Sequence, residues 1–186
     1  MVKHWQFFKS FVRSPKQMGS VIPSSRYLVR ALLGDIDWQQ SQTIVELGAG
    51  TGAVTASIAE KSSADTLFIC FEFDEQLHQN LVKRFPQATM AYDAFKLTQT
   101  LALENQTQAD YIISSLPFAN FSKADQHLLL ETIKAALAPG GAFIVYQYSK
   151  QLEILLEQHF SRRTRSYVWQ NIPPAYVYHC SNPCED

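Results

Sequence analysis

The sequence is poor in cysteine and has no long uncharged apolar run. Its 186 residues include three cysteines, Cys70, Cys180 and Cys184, an odd number that is too small for a disulfide framework and lacks the paired ligands of a zinc site. The most apolar uncharged stretch, residues 135–149, is interrupted by a proline and two glycines, whereas a membrane-spanning helix needs about 20 consecutive apolar residues. We therefore expect a cytoplasmic globular protein with no disulfide framework, metal site or membrane-spanning helix.

Acidic residues are absent from the first 34 positions. Those positions carry six basic side chains and a charge of +6, whereas the rest of the chain carries 10 basic and 17 acidic side chains and a charge of −7. The net charge of −1 hides this asymmetry. A basic segment beside an acidic remainder predicts that the N-terminal end faces an anionic partner, either a membrane surface or a nucleic acid.

Residues 2–13 have the pattern of a basic amphipathic helix. At about 100° per residue, aromatic side chains fall on one broad face and cations on the other. Aromatic rings suit the headgroup boundary of a bilayer, and cations attract anionic lipids. The predicted membrane-binding residues are Trp5, Phe8, Phe11, Lys9 and Arg13. A helix that packs against its own domain has the same pattern, so both interpretations stay open.

The remaining pattern predicts one α/β domain, residues 35–186, after an N-terminal helical extension of residues 1–34. The second helix of the extension begins at a serine cap and ends at Leu33. Short apolar strands then alternate with helices, as in a doubly wound parallel sheet. The predicted strands are residues 43–47, 67–71, 89–92, 111–114 and 142–148, and the predicted helices are residues 54–61, 75–85, 123–137 and 151–160. Residues 164–169 and 175–180 are too close together for a helical crossover, so they predict an antiparallel C-terminal hairpin.

A glycine-rich loop follows the first predicted strand and reads Glu46-Leu47-Gly48-Ala49-Gly50-Thr51-Gly52. Glycines there permit a tight turn and the close approach of a ligand to the backbone, and the helix that follows offers free N–H groups. Gly48, Gly50 and Ala53 also satisfy the loose dinucleotide-binding pattern. The spacing alone therefore fits both NAD and S-adenosyl-L-methionine.

Three acidic residues at predicted strand ends narrow this choice. Glu46 would repel a pyrophosphate but suits the ammonium and sulfonium groups of S-adenosyl-L-methionine. Glu72 can accept hydrogen bonds from ribose hydroxyls, which NAD also carries, and Asp93 can accept one from an adenine amino group. The predicted cofactor site consists of these three acids and of Gly48, Ala49, Gly50, Thr51, Gly52, Phe73, Ala94 and Ser114.

The glycine loop, Glu72, Asp93 and the segment Ser115-Leu116-Pro117-Phe118 together resemble class I S-adenosylmethionine-dependent methyltransferases. This resemblance implies a Rossmann-like sheet of seven mostly parallel strands. The flanking segments FVRSP, MGSVIPSS and VWQNIPPA are similar to those of bacterial phospholipid N-methyltransferases, which convert phosphatidylethanolamine to phosphatidylcholine. The resemblance covers nearly the whole chain. It implies an enzyme that is peripherally associated with the inner face of the cytoplasmic membrane and acts on the amine of a phospholipid headgroup.

The related ribosomal RNA adenine dimethyltransferases have an Asn where this chain has Ser115. A serine hydroxyl is shorter than the Asn side chain that could accept from a base amino group, which weakens an RNA interpretation. The chain is also too short for the extra helical domain of those enzymes, and it is acidic beyond Asp35, which opposes a phosphate-tracking groove. RNA adenine methylation, and a cofactor-binding module without activity, remain as alternatives.

The resemblance also predicts which residues serve methyl transfer. The predicted catalytic segment is Ser115, Leu116, Pro117 and Phe118, in which oxygen atoms at residues 114–116 would hold the N–H groups of the amine and Pro117 would stiffen the turn. The predicted substrate-binding residues are Ser24, Ser25 and Tyr148, the last through cation–π attraction, whereas Tyr146 is expected to pack in the core. The five histidines are expected at the surface, and none is assigned to catalysis. The particular amine lipid, the number of methyl groups and the oligomeric state stay open.

Overall fold

The computed structural model describes residues 24–181, so the helix predicted over residues 2–13 lies outside the described residues. The strands are β1 (Thr43–Leu47), β2 (Leu67–Phe71), β3 (Thr89–Ala91), β4 (Ala109–Ser114), β5 (Leu137–Gln147), β6 (Arg162–Val168) and β7 (Ala175–Ser181). The helices are α1 (Arg26–Leu33), α2 (Ala53–Lys61), α3 (Glu75–Arg84), α4 (Leu97–Leu103), α5 (Lys123–Ala136) and α6 (Glu153–His159). Within residues 24–181, every helix is too short or too polar to cross a membrane.

The seven strands form one sheet in the order β3-β2-β1-β4-β5-β7-β6. Strands β1 to β5 are parallel to one another, whereas β7 is antiparallel to both β5 and β6. Strand β1 lies in the middle of the sheet, β2 and β3 follow outward on one side of it, and β4 lies on its other side. The strand order therefore reverses between β1 and β4. Ligands bind at such a switch point, outside the carboxyl ends of the strands. The predicted doubly wound sheet with an antiparallel C-terminal hairpin is therefore confirmed.

Helices cover both faces of the sheet, because neighbouring residues of a strand point to opposite faces. Ile44 joins the apolar cluster beneath α1, α2 and α3, where Leu32 and Ile58 are fully buried. Val45 joins the cluster beneath α4, α5 and α6, where Ile133 is fully buried. Each such side chain stabilises the fold by about 1.5–3 kcal/mol. With both faces covered, the loops at the carboxyl edge of the sheet are the accessible part of the switch point.

Helix α1 packs on the sheet. The Ser25 hydroxyl accepts a hydrogen bond from the Leu28 N–H at 3.2 Å and so caps the helix. Leu28 and Leu32 are fully buried, and His179 Nε2 of β7 lies 3.2 Å from the carbonyl oxygen of Ala31. The described part of the predicted N-terminal extension thus contributes to the domain core, and the predicted boundary between extension and domain stays a prediction.

Most elements lie within two residues of their predicted bounds, but α4 and β5 differ more. The sequence pattern does not predict α4, because this helix has seven residues of which only Leu97 and Leu101 are buried, too short a run to show helical periodicity. Strand β5 begins at Leu137, before its predicted start at residue 142. The predicted start is too late because Pro139-Gly140-Gly141 has the sequence pattern of a turn. The strand continues through this segment with Gly140 at a φ of +75° and with a shift in its register against β4.

The prediction that the histidines lie on the surface is wrong for His78 and His159, which are 6% and 7% exposed. The ring of His78 stacks on Tyr92 with 3.7 Å between the ring centroids. His159 Nδ1 lies 2.8 Å from Glu131 Oε1, and its Nε2 lies 3.1 Å from His127 Nδ1. A stacked or hydrogen-bonded imidazole tolerates burial, and neither kind of partner is visible in the local sequence.

Candidate functional site

The glycine loop joins β1 to α2 at the carboxyl edge of the sheet. Gly48, Gly50 and Gly52 have φ angles of +82°, +56° and +83°, a region that residues with side chains rarely adopt. Gly52 is the N-cap of α2 and supplies no side-chain cap. Gly52 itself therefore leaves the first amides of α2 uncapped, whereas the buried Glu46 carboxylate hydrogen-bonds the backbone of Thr55 in the first turn.

The space around two of these glycines explains their separate roles. A Cβ atom on Gly48 would lie 2.8 Å from Leu116 Cδ2, whereas a Cβ atom on Gly50 would have nothing within 4 Å. Gly48 therefore lets the loop after β1 pack against the segment after β4. Gly50 borders open space, so a ligand can approach its backbone closely. This cradle fits the cofactor that the glycine pattern predicts.

Glu72 connects the glycine loop to the end of β2. Its Oε2 accepts a hydrogen bond from the Gly50 N–H at 2.7 Å, and its Oε1 accepts one from the Asp74 N–H at 2.8 Å. Burial raises the pKa of Glu72, and backbone hydrogen bonds from Asp74, Gly50 and Phe73 act against this increase. A carboxylate has about four acceptor positions, so Glu72 retains capacity for about one further hydrogen bond, such as one from a ribose hydroxyl.

Glu46 lies in a different environment from the one expected. Its side chain is fully buried in β1, and the Cys70 thiol donates to its Oε2 at 3.6 Å. Burial raises the pKa of Glu46 from 4.5 to about 7, although Thr55 and Cys70 partly offset this effect. The expectation that this carboxylate meets the cofactor charges directly is therefore corrected. A buried Glu46 carboxylate can attract a bound cation only electrostatically, over a distance and without direct contact.

Asp93 lies just beyond β3 and beside the Glu72 region. Its Oδ1 accepts a hydrogen bond from the Phe95 N–H at 3.1 Å, and Ala94 between them is buried. The Glu72 N–H donates to the Ala91 carbonyl oxygen at 3.0 Å, so the ends of β2 and β3 lie side by side. The structure thus brings the Gly50 loop, Glu72 and Asp93 to one edge, as the sequence predicts.

His78 is a residue of this edge that the sequence pattern did not indicate. Its Nδ1 lies 3.2 Å from the Glu72 carbonyl oxygen, and its ring stacks on Tyr92 next to Asp93. The side chain of Phe73, also a predicted cofactor residue, is partly buried and packs against the core. His78 therefore supports the two acidic strand ends. Its position four residues after the N-cap Asp74 is the only local signal for this role.

The turn after β4 holds the predicted catalytic segment. The Ser114 hydroxyl accepts from the Leu116 N–H at 3.2 Å. The Leu116 carbonyl oxygen accepts from the Gln147 side chain and from the Phe118 N–H, each at 2.9 Å. These bonds use both lone pairs of the oxygen. The expectation that the Leu116 oxygen is open to an amine is therefore wrong.

The side chains of this turn divide into buried and accessible ones. Leu116 and Phe118 are 2% and 1% exposed, so they hold the turn against the core instead of facing a substrate. Ser115 and Pro117 are partly exposed, and Pro117 has a φ of −78°, close to the value that its ring imposes. Ser115 is thus the accessible polar side chain of the predicted catalytic segment.

The Tyr146 hydroxyl interacts with three polar side chains near this turn, those of Ser24, Ser115 and Tyr148. Burial raises the pKa of Tyr146, so the hydroxyl stays protonated at neutral pH. Its ring centroid lies 5.7 Å from that of Tyr148, which is 52% exposed just beyond β5. Tyr146 packs against the core as predicted, but the contacts of its hydroxyl were not predicted. Ser25, in contrast, uses its hydroxyl as the cap of α1.

Neither the polar hollow described below nor any cluster of metal-ligating side chains among the described residues is a better candidate for the functional site than the carboxyl edge of the sheet. A polar hollow lined by residues 39–42, Ser63 and Asp65 lies before β1 and β2, at the amino edge of the sheet. Among the residues that the structure describes, no group of three or more His, Cys, Asp or Glu side chains is placed to hold a metal ion. The carboxyl edge therefore contains the candidate site.

Comparisons with known proteins agree with this assignment. Residues 45–143 match the family described as "Methyltransferase domain". The chain is 32% identical to an ornithine lipid N-methyltransferase of Singulisphaera acidiphila over 94% of this chain and 93% of that protein. It is 29% identical to the ribosomal RNA small subunit methyltransferase A of Mesomycoplasma hyopneumoniae over 62% of this chain and 46% of that protein. The solved structure of N-methyltransferase NodS from Bradyrhizobium japonicum, in complex with S-adenosyl-L-homocysteine, has a TM-score of 0.69 at 12% identity and covers 95% of this chain and 98% of that chain.

These similarities decide between the two cofactors that the glycine pattern allowed. The matched methyltransferase domain confirms S-adenosyl-L-methionine as the cofactor. The relative that matches over nearly its whole length confirms the predicted resemblance to lipid-methylating enzymes. The chain therefore belongs to the S-adenosylmethionine-dependent methyltransferases, within a lipid N-methyltransferase family.

Proposed function

We propose that the protein transfers methyl groups from S-adenosyl-L-methionine to the amine of a lipid headgroup at the inner face of the cytoplasmic membrane. The observation that carries this proposal is the 32% identity to an ornithine lipid N-methyltransferase over 94% of the chain. That similarity extends beyond residues 45–143, which match the methyltransferase domain. Substrate choice depends on the site and not on the fold. A likeness that includes both flanks therefore supports an amine lipid such as phosphatidylethanolamine or an ornithine lipid.

The cofactor is held at the carboxyl edge of β1, β2 and β3. The backbone of residues 48–52 forms the cradle, Glu72 accepts from the ribose hydroxyls, and Asp93 accepts from the adenine amino group. The start of α2 is the positive end of the helix dipole and would attract the carboxylate of the methionine part. When bound, the cofactor supplies a methyl group that its positive sulfur activates for displacement. The remaining task of the protein is to align the amine and exclude water.

Ser115 positions the amine. Its side chain is partly exposed at the end of β4, and Tyr146 interacts with its hydroxyl from β5. An amine attacks only in its unprotonated form, with its lone pair directed at the methyl carbon. A hydrogen bond from one amine N–H to the Ser115 hydroxyl oxygen would set that direction. The remaining predicted residues of the segment, Leu116, Pro117 and Phe118, act by fixing the turn.

Tyr148 recognises the headgroup cation. Its ring is 52% exposed at the same edge, and the neighbouring Tyr146 ring, 5.7 Å away, supports it from one side. An aromatic face attracts an ammonium by roughly 0.5–2 kcal/mol. Each added methyl group leaves a bulkier ammonium that hydrogen bonds less well. A contact of this kind becomes more important as methylation proceeds.

Membrane docking belongs to the N-terminal segment. Trp5, Phe8 and Phe11 would enter the headgroup boundary, and Lys9 and Arg13 would attract anionic lipid. This segment lies outside the described residues, so its support is the sequence pattern alone. Docking there would bring the site to the headgroups and would make the enzyme a peripheral membrane protein.

Lipid analysis of living cells tests the proposal. Cells that produce the wild-type protein are compared with cells that produce the Glu72→Gln variant, and lipid extracts and total RNA are both analysed by mass spectrometry. We expect methylated amine headgroups with the wild-type protein and a strong decrease in them with the variant. New methyl groups on RNA adenine, with unchanged lipids, would instead support the RNA alternative, which the ribosomal RNA methyltransferase relative represents.

A further inference from the structure

The tip of the β6–β7 hairpin exposes apolar side chains beside the site. This hairpin tip, residues 169–174, includes Trp169 and Ile172, each of which is 70% exposed. Gln147, the last residue of β5, lies opposite Tyr176 of the antiparallel strand β7. The hairpin tip therefore lies just beyond the carboxyl end of β5, at the edge that also carries the glycine loop and Ser115.

A buried asparagine fixes the hairpin tip. Asn171 is 3% exposed, and its Oδ1 accepts from the Ser25 N–H at 3.1 Å while its Nδ2 donates to the Pro173 carbonyl oxygen at 2.7 Å. This residue points inward between two apolar residues that point outward. The turn is thus held in a conformation in which Asn171 is buried and Trp169 and Ile172 are exposed. The anchor also ties the hairpin tip to the start of α1.

Cations without acidic partners flank the hairpin tip. Arg26 follows the anchoring residue Ser25, and Arg30 lies one helical turn further along α1; both are exposed. Within residues 24–181, neither forms a salt bridge with an acidic side chain. The acidic side chains of α6 that lie near β6 already form salt bridges with that strand, Glu157 with Arg163 and Glu153 with Arg165. Arg26 does donate to the Tyr27 hydroxyl at 2.9 Å, but this neutral partner leaves its charge uncompensated. Exposed apolar side chains beside these cations match the chemistry of an anionic bilayer surface.

We propose that the hairpin tip inserts Trp169 and Ile172 into an anionic bilayer, with Arg26 and Arg30 against the lipid phosphates. This inference rests on the proposed function, because a lipid substrate is what requires the site edge to face the membrane. Tryptophan suits this position, since its ring is apolar while its indole N–H can reach water or a headgroup. The insertion seats Ser115 and Tyr148 at the depth of the headgroup amines. It is a contact separate from the helix predicted over residues 2–13.

Vesicle binding tests this contact. The double variant Trp169→Ser/Ile172→Ser is compared with Val82→Ser/Leu103→Ser, which removes two exposed apolar side chains from the C-terminal ends of α3 and α4, toward the opposite edge. Vesicles contain phosphatidylethanolamine and phosphatidylglycerol. We expect the hairpin-tip variant to sediment with vesicles with at least about tenfold lower affinity and the control to bind like wild type. Equal binding of the hairpin-tip variant and wild type would overturn the proposal.

Fluorescence distinguishes the bilayer from the other possible occupant of the patch, the chain's own N-terminal segment. In a variant that keeps Trp169 as its only tryptophan (Trp5→Phe/Trp38→Phe), emission should be that of a water-exposed indole in buffer. It should shift to the blue with vesicles and be quenched by brominated acyl chains. Blue emission in buffer that vesicles do not change would show that residues 1–23 cover the hairpin tip, and would contradict the proposal.

Methyl transfer to a monomeric short-chain phosphatidylethanolamine separates this inference from the proposed function. If both hold, the hairpin-tip variant keeps wild-type turnover on the monomeric lipid and loses turnover on vesicles. If wild type methylates neither form, the proposed function fails, while the sedimentation and fluorescence results still decide whether the hairpin tip binds membrane. Loss of turnover on the monomeric lipid as well would show that the hairpin tip shapes the site, and would count against a membrane role.

Discussion

The Gly50 N–H donates a hydrogen bond to Glu72 Oε2 at 2.7 Å. The other oxygen of the same carboxylate accepts from Asp74, so one buried side chain ties the loop after β1 to the loop after β2. These two loops lie at the switch point of the sheet, where we propose that the cofactor binds. The shape of the glycine loop therefore depends on a residue that is itself predicted to contact the cofactor.

Replacing Glu72 with Gln should weaken the binding of S-adenosyl-L-homocysteine by about tenfold or more. The variant loses a charged acceptor, and hydrogen bonds to charged groups contribute about 1.5–3 kcal/mol. Titration calorimetry measures the affinity. Glu75→Gln, which removes an exposed carboxylate from the first turn of α3, is the matched control. Equal affinities for both variants would remove Glu72 from the cofactor site.

Alanine at Gly48 and at Gly50 should have different effects. Gly48→Ala combines an unfavourable φ with a Cβ atom 2.8 Å from Leu116 Cδ2, so we expect it to lower the free energy of unfolding by about 1–3 kcal/mol or more. Gly50→Ala meets no atom within 4 Å and should cost about 1–2 kcal/mol, but its Cβ atom enters the cleft and should weaken cofactor binding. Denaturant unfolding and calorimetry separate the two effects. Wild-type cofactor affinity in Gly50→Ala would mean that the ligand does not approach this residue.

Glu46 should make the protein less stable as the pH rises from about 4.5 to about 7. Burial raises the pKa of this carboxyl from 4.5 to about 7 in the folded protein, so the folded state holds a proton that the unfolded state releases in this range. Stability then falls with increasing pH. Denaturant unfolding at pH 5 and pH 8 measures the change, which should be smaller in Glu46→Gln. An identical change in both proteins would place the effect on other groups.

Removal of the Tyr148 ring should slow methyl transfer, whereas removal of its hydroxyl should not. A cation–π contact of roughly 0.5–2 kcal/mol corresponds to a decrease in turnover of about twofold to thirtyfold in Tyr148→Ala. Tyr148→Phe keeps the ring and is the matched control. Turnover is measured separately on unmethylated, monomethylated and dimethylated lipid. Full activity of the alanine variant on every step would show that Tyr148 does not contact the ammonium.

The predicted N-terminal helix should be needed for membrane binding and not for cofactor binding. We expect Phe8→Glu/Phe11→Glu to abolish sedimentation with anionic vesicles while the affinity for S-adenosyl-L-homocysteine stays unchanged. Leu103→Glu, at an exposed position of α4, controls for added negative charge. Loss of folding in the double variant would instead favour a helix that packs on its own domain.

The parts of the site that the sequence predicts are those with a local signal. Strands β1 and β2 have the predicted bounds, because short apolar runs between turn residues identify buried strands. The positive φ angles at Gly48, Gly50 and Gly52 follow from glycines placed between a strand and a helix. Parallel strands place their carboxyl ends at one edge, so Glu72 and Asp93 could be assigned to that edge from their positions alone.

The features that the sequence does not predict depend on contacts between distant residues. The full burial of Glu46 results from Thr55 and Cys70 on other elements, and the engagement of the Leu116 oxygen results from Gln147 on β5. Likewise, Asn171 and Ser25 are far apart in the chain, and their hydrogen bond helps to hold Asn171 inward while Trp169 and Ile172 stay exposed. Periodicity identifies which residues share a face of one element, but it does not identify the partners across elements.

The most direct measurement of the central claim is the transfer of a labelled methyl group by the purified protein. The protein is incubated with methyl-labelled S-adenosyl-L-methionine and vesicles that contain either phosphatidylethanolamine, an ornithine lipid or only phosphatidylglycerol, with ribosomal RNA in a parallel sample. The account predicts label in the headgroup of an amine lipid, none in phosphatidylglycerol or RNA, and a strong decrease with Glu72→Gln. Label in RNA, with none in either amine lipid, would contradict it.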